Sequence, residues 1–346
     1  MAKYGESAPR PGGAFRIDRP LRAAPSGVPS VDYVIGVGGI PHGTICEIMG
    51  ANSSGKTFLA LVFAAYSQRN GGLVGFVDAE HKLQPTFAKL PGVDLAAMYY
   101  AQPEDGESAL NMTRDYVATG LYDVWIVDSV HACVPRKFLN HKEGINAEVP
   151  AELAKLMNAG CQVIDHVVAR TDTLCIFINH VKTKPMVKYG RTWYTPGGSA
   201  LEFYASVRLH VKARQPYFDK NNRRIGHQVE VKVEKSSVSA PHAVAHFDLF
   251  YTEGEVKIND KDEIKVKRTV VPGVDIASSW FSILKDSGWM RSDGGRHYRT
   301  DTGEALGYAQ DIYDGLRQAD SELLKIASEM TYPEEYMRDR PTQTAA

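Results

Sequence analysis

From Thr44 onward, apolar runs and helical patterns take turns along the chain. Residues 45–49 form an apolar run too short for a helix and suited to a strand buried on both faces, closed by Gly50. Residues 57–69 read as a helix, stopped by Asn70-Gly71-Gly72, and residues 73–78 as the next strand. A helix over 108–119, an apolar run at 124–127, a long amphipathic helix over 151–170 and a run at 174–178 continue the series. Strands alternating with helices predict an α/β fold, doubly wound, with a mostly parallel central sheet. After Gly198 strands follow one another directly, at 205–211, 228–234 and 243–250, with a turn at 219–222. These are expected to extend the sheet antiparallel.

The rest of the chain divides by texture. Residues 1–30, with several Pro and Gly and no periodicity, read as an extended N-terminal arm available for a subunit contact, and 31–256 as the main core. A Lys- and Asp-rich connector, 257–271, leads to a small C-terminal α+β domain, 272–332, with a helix, a hairpin near 289–298 and a helix; 333–346 is a polar tail. No internal repeat is visible. At 346 residues the chain exceeds the usual size of one domain, and 43% hydrophobic with 23% charged residues excludes a disordered or membrane composition. No stretch reaches the ~18 apolar residues of a membrane helix, and nothing resembles a leader, so a cytoplasmic protein is expected. The four cysteines are far apart and form no C-x-x-C pair, as expected of buried thiols in a reducing compartment. A formal net charge of −1 offers no general attraction to nucleic acid, so any such binding needs a local basic segment.

Gly50-Ala51-Asn52-Ser53-Ser54-Gly55-Lys56-Thr57 fits G-x-x-x-x-G-K-[ST] directly between a strand and a helix. In that setting the backbone amides around Gly50, Ser53, Ser54 and Gly55 converge on phosphate oxygens, Lys56 reaches the β and γ phosphates, and Thr57 ligates Mg²⁺. ATP and Mg²⁺ are the implied cofactors; a glycine turn that only caps a helix is the alternative. Such a loop needs an acid on a neighbouring strand, and Asp128, followed by Ser129, ends the run 124–127. Asp128 is either the second metal-side ligand or a cap for the segment after it. Glu80 follows the strand 73–78 and would project at the carboxyl edge of the sheet, as general base or as a surface carboxylate.

Between Asp172 and Glu202 there is no acidic residue, while Lys182, Lys184, Lys188 and Arg191 interleave with Tyr189, Trp193 and Tyr194 ahead of Gly197 and Gly198. Cations that track phosphates and aromatics that stack on bases suit single-stranded DNA; a solvated loop or a subunit contact are the alternatives.

In this order, Ser53-Ser54-Gly55-Lys56-Thr57, Asp78-Ala79-Glu80-His81, Gln102-Pro103 with Gly106-Glu107, Val127-Asp128-Ser129, Phe177-Ile178-Asn179, and Gly197-Gly198 leading to Phe203-Tyr204-Ala205-Ser206-Val207-Arg208 resemble the RecA family of recombinases over residues 27–241. The resemblance implies a filament on single-stranded DNA, homology search and strand exchange with duplex DNA, and DNA-stimulated ATP hydrolysis, with single-strand-binding and loader proteins as further partners. It implies that Glu80 activates the attacking water. It implies that Phe87 stacks on adenine, where plain core packing is the alternative, and it puts Gln84 where bacterial members carry an aspartate. His180 falls on the γ-phosphate sensor, a glutamine in bacterial members. The Asn179-His180 pair, with Val233-Glu234-Lys235-Ser236, is similar to phage recombinases of the UvsX type, which suggests a bacteriophage origin. Lys235 matches a lysine that approaches the neighbouring subunit's phosphates, while Ser237 stands where a second lysine would be. The basic segment becomes the second DNA loop, and 136–146, with Arg136, Lys137, His141 and Lys142 against Glu143, the first. Lys285, Arg291, Arg296, His297 and Arg299 surround a C-terminal hairpin that either receives duplex DNA or is a solvated charged hairpin. The chain departs from the family in lacking an amphipathic N-terminal helix and a strongly acidic tail. Other readings are a hexameric helicase motor, which would be expected to carry a helical N-terminal domain, and a non-catalytic accessory protein, against which the intact Lys56, Glu80 and Asp128 speak.

Overall fold

In the computed structural model, residues 21–139, 149–184, 190–259 and 265–332 are described. The first twenty residues of the expected arm, His141, Lys142 and Glu143 of the expected first DNA loop, Lys188 and Tyr189 of the second, and the tail 333–346 lie outside the described residues.

The main sheet contains β1 (Ile45–Gly50), β2 (Leu73–Asp78), β3 (Met98–Ala101), β4 (Tyr122–Asp128), β5 (Leu174–His180), β6 (Ala205–Phe218), β7 (Arg224–Ser236), β8 (Val244–Phe250) and β9 (Gly273–Asp275). Its spatial order is β9-β8-β7-β6-β1-β5-β4-β2-β3. From β6 to β3 every neighbouring pair is parallel; from β6 to β9 every pair is antiparallel. The α/β class and the mostly parallel sheet are as the alternation of patterns predicts.

Helices α2 (Lys56–Arg69), α3 (Gly106–Val117) and α4 (Val149–Thr171) cover the parallel part. Period-two alternation decides which strand residues meet which helices. Val124, Ile126, Leu174, Ile176 and Ile178 pack in the layer of α2, whose residues Phe58 to Ala65 are all buried. Trp125, Val127, Cys175 and Phe177 face the other way, toward Ala109 and Leu110 of α3 and Met157, Cys161 and Ile164 of α4. All four cysteines are free and buried, as expected. Helix α3 starts where Asp105 caps it by accepting from the Ser108 amide at 2.7 Å.

Three expectations need correction. The strand at 205–211 is not antiparallel: Ala205 pairs with Ile45 and Val211 with Gly50 in a parallel ladder, because the chain crosses over through a short helix, Ala200–Tyr204, before entering β6. The antiparallel extension begins only with β7. Within the span 257–271, read as a connector, residues 257–259 and 265–270 instead belong to an antiparallel pair of strands, Gly254–Asn259 with Lys265–Val270; Val256 and Val270 join Tyr217, Ile225 and Phe250 in a small core of their own. The dense charge there conceals a strand period. Residues 22–30, read as arm, are packed: Ala23–Ala24 pairs with Ile40–Pro41, and α1 (Pro29–Ile35) starts on a proline that suits the first helical turn.

Beyond β9, α5 (Ile276–Asp286), a three-stranded sheet of Met290–Asp293, Arg296–Arg299 and Ala305–Tyr308, α6 (Ala309–Leu316) and α7 (Glu322–Thr331) enclose a core that includes Trp280, Ile283, Leu284, Ile312, Leu316 and Ala327. This unit docks on α1. The Ser30 amide donates to Ser279 Oγ at 2.7 Å, and the fully buried Asp32 accepts from Ser26 N (2.7 Å), Ser26 Oγ (2.8 Å) and Tyr332 Oη (2.8 Å). Among the described residues no helix is long and apolar enough to cross a membrane.

Candidate functional site

Strand β1 lies inside the sheet, between β5 and β6, so the loop that leaves it at Gly50 opens at the carboxyl edge among the other strand ends. A Cβ at residue 50 would run into the Val211 carbonyl and Ser54 Oγ, which only glycine avoids. The loop turns through Ser53 (φ 56°) and Gly55 (φ 98°), and α2 begins at Lys56. Ser54 Oγ is buried with no hydrogen-bond partner among the described residues. A buried hydroxyl facing a helix N-terminus, free amides and a lysine make a donor set suited to phosphate oxygens. Lys56 Nζ donates to the Ala51 carbonyl at 2.8 Å, and burial lowers its pKa against the pull of Asp128 and Glu80. Thr57 Oγ1 donates to Asp128 Oδ2 at 2.8 Å, so the two expected metal-side oxygens are adjacent. These residues, with Asp78, Glu80, Gln84 and Phe87, line one cavity of about 350 Å³, in the size range of small-molecule sites. Phe87 lies edge-to-face on Phe58 (centroids 5.9 Å apart), and Gln84 is exposed at the rim.

Asp128 ends β4, paired in register with Asp78 of β2. Burial pushes its carboxyl up to about 6; Glu80 and Asp78 add to the rise, while the Thr57 hydroxyl and Lys56 oppose it. The peptide from Asp128 to Ser129 is cis. Glu80 is tied to this turn, its amide donating to the Asp128 carbonyl at 3.1 Å. Its Oε1 accepts from Ser129 Oγ and lies 3.0 Å from His180 Nε2. The hydrogen bond with His180, then that with Ser129, hold the Glu80 carboxyl down at about 2 in spite of burial.

His180 ends β5 and is braced by Asn179. The buried Asn179 accepts from the His180 amide through Oδ1 (2.9 Å), and its Nδ2 donates to Glu47 Oε1 and to the Pro196 carbonyl, both at 2.9 Å. Glu47 Oε2 accepts from Arg208 Nε at 2.6 Å, with both side chains nearly inaccessible. The next amide, Val181, donates to the Gly50 carbonyl at 3.0 Å, fastening the start of the basic segment to the phosphate loop.

That segment begins as a small hairpin, Lys182–Thr183 against Trp193–Tyr194. Lys182 and Lys184 are exposed. Arg191 lies flat over Trp193, 3.8 Å from the ring centroid, and donates to Glu202 Oε1 at 2.7 Å. Gly197 and Gly198 take positive φ (89° and 70°) where side chains would meet Val130, Met157 and Ala154, so packing on α4 accounts for both. Arg136 pairs with Asp105 at 2.7 Å and Lys137 with Glu152 at 2.9 Å, so both cations of the described part of the first loop already have acidic partners. In the C-terminal hairpin, His297 is buried against Phe281 and does not face outward. Lys235 is not in the pocket of its own chain; its Nζ donates to the Glu202 and Phe203 carbonyls, each at 2.8 Å.

Sequence reasoning missed Glu47 and Arg208 as a buried pair and Asn179 as its link to His180. The available signal was a lone acid in the apolar run 45–49 and an arginine in the largely apolar run 205–211. Asp78 was also overlooked: it lines the pocket and is held by the Leu83 amide (3.0 Å) and Tyr100 Oη (2.7 Å).

The family model of the RecA N-terminal domain matches residues 3–256. Protein RecA of Bartonella henselae is 40% identical over 262 residues, which cover 76% of this chain and 74% of that protein. Protein RecA of Brucella anthropi is 37% identical over 298 residues, covering 86% and 80%. Protein RecA of Chelativorans is 40% identical over 252 residues, covering 73% and 68%.

Proposed function

The chain belongs to the RecA family, and from that premise we infer how its own residues do the family's work. It is a DNA-dependent ATPase and recombinase that acts in homologous recombination and strand exchange. The observation that carries the residue assignment is the convergence of Thr57, Asp128 and Glu80 on one cavity floored by the phosphate loop, with His180 held against Glu80.

The amides of residues 50–57, Ser54 Oγ and Lys56 hold the triphosphate; Gln84 and Phe87 take the adenine at the rim. Thr57 and Asp128 would hold Mg²⁺, which would neutralise phosphate charge. Glu80 is the general base. A carboxylate held at about 2 is a weak base, and what holds it there first is His180 Nε2. The same nitrogen cannot serve Glu80 and a γ-phosphate oxygen together, so when His180 turns to phosphate, Glu80 recovers basicity. His180 is thereby sensor and gate. Lys235 is assigned to the neighbouring subunit's site in the filament, which fits its position outside its own pocket.

Lys182, Lys184, Lys188, Tyr189, Arg191 and Trp193 are assigned to single-stranded DNA, with Arg136 and Lys137 as a weaker second set. The assignment of residues 31–256 to the ATPase core and 272–332 to a duplex-receiving domain, a cytoplasmic location, and single-strand-binding or loader partners belong to the same reading. The UvsX-like subtype rests on Asn179-His180 and residues 233–236 alone; the relatives named above are bacterial. Strand exchange between a circular single strand and a homologous linear duplex tests the whole reading. Joint molecules are expected with ATP and with a non-hydrolysable analogue, and full exchange only with ATP; an absence of joint molecules in both would overturn it.

A further inference from the structure

The short helix Ala200–Tyr204 gathers contacts that the chemistry above does not use. One oxygen of Glu202, Oε1, faces two guanidiniums: Arg191 Nη1 at 2.7 Å and Arg208 Nη1 at 3.7 Å. The two differ in burial. The Arg208 side chain is 4% exposed and fixed by Glu47, whereas that of Arg191 is 33% exposed and rests on the face of Trp193. Arg191 Nε is buried and has no acceptor among the described residues. Among the described residues Arg191 thus leaves one donor unsatisfied and covers an aromatic face, while Glu202 has a second cation in reserve.

We propose that Glu202 is a positioning residue for DNA engagement, holding Arg191 on Trp193 until a DNA phosphate takes the guanidinium in its place. This rests on the reading of residues 182–194 as a DNA loop. A phosphate offers Arg191 paired acceptors in place of the single Glu202 oxygen, and a guanidinium released from Glu202 is free to turn its Nε edge toward them. Departure of Arg191 uncovers Trp193, so a phosphate binder and a base-stacking face become available in one event. Glu202 is not left bare, because Arg208 stands beside it. Glu202 then leans on the pair that continues through Glu47 to Asn179 and the His180 amide, giving a polar route from the DNA loop to the nucleotide sensor.

The test is a double-mutant cycle on an oligothymidylate, read by fluorescence anisotropy without nucleotide and with a non-hydrolysable ATP analogue. Glu202→Gln keeps the shape and removes the charge. It is expected to tighten nucleotide-free binding about threefold, the scale of a partly exposed ion pair, and to shrink the gain from nucleotide by the same factor. In the Arg191→Ala background the same change is expected to do nothing. Arg191→Lys, which keeps the charge but loses the planar fork, is expected to weaken binding on its own and to reduce the effect of adding Glu202→Gln. The proposal is overturned if Glu202→Gln leaves nucleotide-free affinity unchanged or weaker. It is equally overturned if the tightening persists without Arg191, since that would be the effect of net charge alone. If Arg191→Ala by itself binds like the unaltered protein, the reading of the segment as a DNA loop fails, and the proposal with it.

Discussion

The nucleotide pocket and the basic hairpin are joined by a single residue, Val181, between His180 and Lys182, yet they are built on opposite terms. In the pocket Lys56, Asp78 and Asp128 stand at a helix start and strand ends, with Glu80 just beyond one of them, and this placement sets Asp128 beside Thr57 and Glu80 beside Ser129 and His180. Among the described residues of the hairpin Lys182 and Lys184 are exposed, and Arg191 is held by an exposed glutamate and a tryptophan face. The pocket is preorganised for charge that develops at one point; the hairpin has groups free to follow a flexible polyanion. A catalytic constellation needs fixed partners, whereas sequence-tolerant DNA binding needs partners that can be exchanged.

Variants that break this contrast should differ greatly in size of effect. On the fixed side, Lys56→Ala and Glu80→Gln are expected to lower ATP turnover by about 10² to 10⁴, the range for loss of a phosphate cation or a general base. Glu80→Gln is expected to keep nucleotide binding. Steady-state hydrolysis with a nucleotide-binding assay checks both, and hydrolysis retained in both variants would remove the site assignment. At the junction, His180→Ala is expected to bind ATP but lose about tenfold of the nucleotide-induced tightening on single strands. Equal tightening in variant and unaltered protein would place the sensor elsewhere.

Asp128 sharpens the contrast through pH. Its carboxyl rises from 3.8 to about 6 on folding, so the native state binds more protons than the unfolded chain between those values. Ionised Asp128 therefore costs stability above pH 6, on the order of 3 kcal/mol, and that cost is relieved as pH falls through 6 toward 4. Without nucleotide or Mg²⁺, Asp128→Asn is expected to melt higher than the unaltered protein at pH 7.5, with the gap closing near pH 4. A gap independent of pH would mean that the ionised carboxylate is not the source of the cost.

On the exchangeable side the effect is smallest. Lys184→Ala should reduce the slope of log affinity against log salt by about one unit if the lysine meets one phosphate. Lys137→Ala, whose lysine already pairs with Glu152, should change it less. Identical slopes for the two variants would erase the distinction between paired and free cations.

Legibility in the amino-acid sequence depends on whether a feature is settled locally or by distant register. The phosphate loop, Asp128 and the parallel core are legible because strand, turn and helix signals agree within short windows. The direction of residues 205–211 is not, since a parallel or antiparallel ladder depends on where the preceding chain crosses, which no local pattern carries. The hairpin of Gly254–Asn259 with Lys265–Val270 is hidden because charged residues mask its alternation. Glu47 and Arg208 lie 161 residues apart, so only the register of β1 against β6 makes them a pair. Gly197 and Gly198, read as DNA contacts, have a packing explanation in the crowding of α4, invisible from composition.

The Asp32 carboxylate joins residues far apart in the chain: Ser26, near the start, and Tyr332, at the end of the last described helix, 300 positions beyond Asp32 itself. During synthesis Asp32 leaves the ribosome long before Tyr332 exists, and before α5, onto which α1 docks through Ser30 and Ser279. The N-terminal segment is thus seated on a surface that emerges long after it. A nascent chain can complete the phosphate loop and its sheet early, but it closes the seam at α1 only once residue 332 has emerged, which makes that seam a late step of folding and a place for a partly made chain to meet a chaperone.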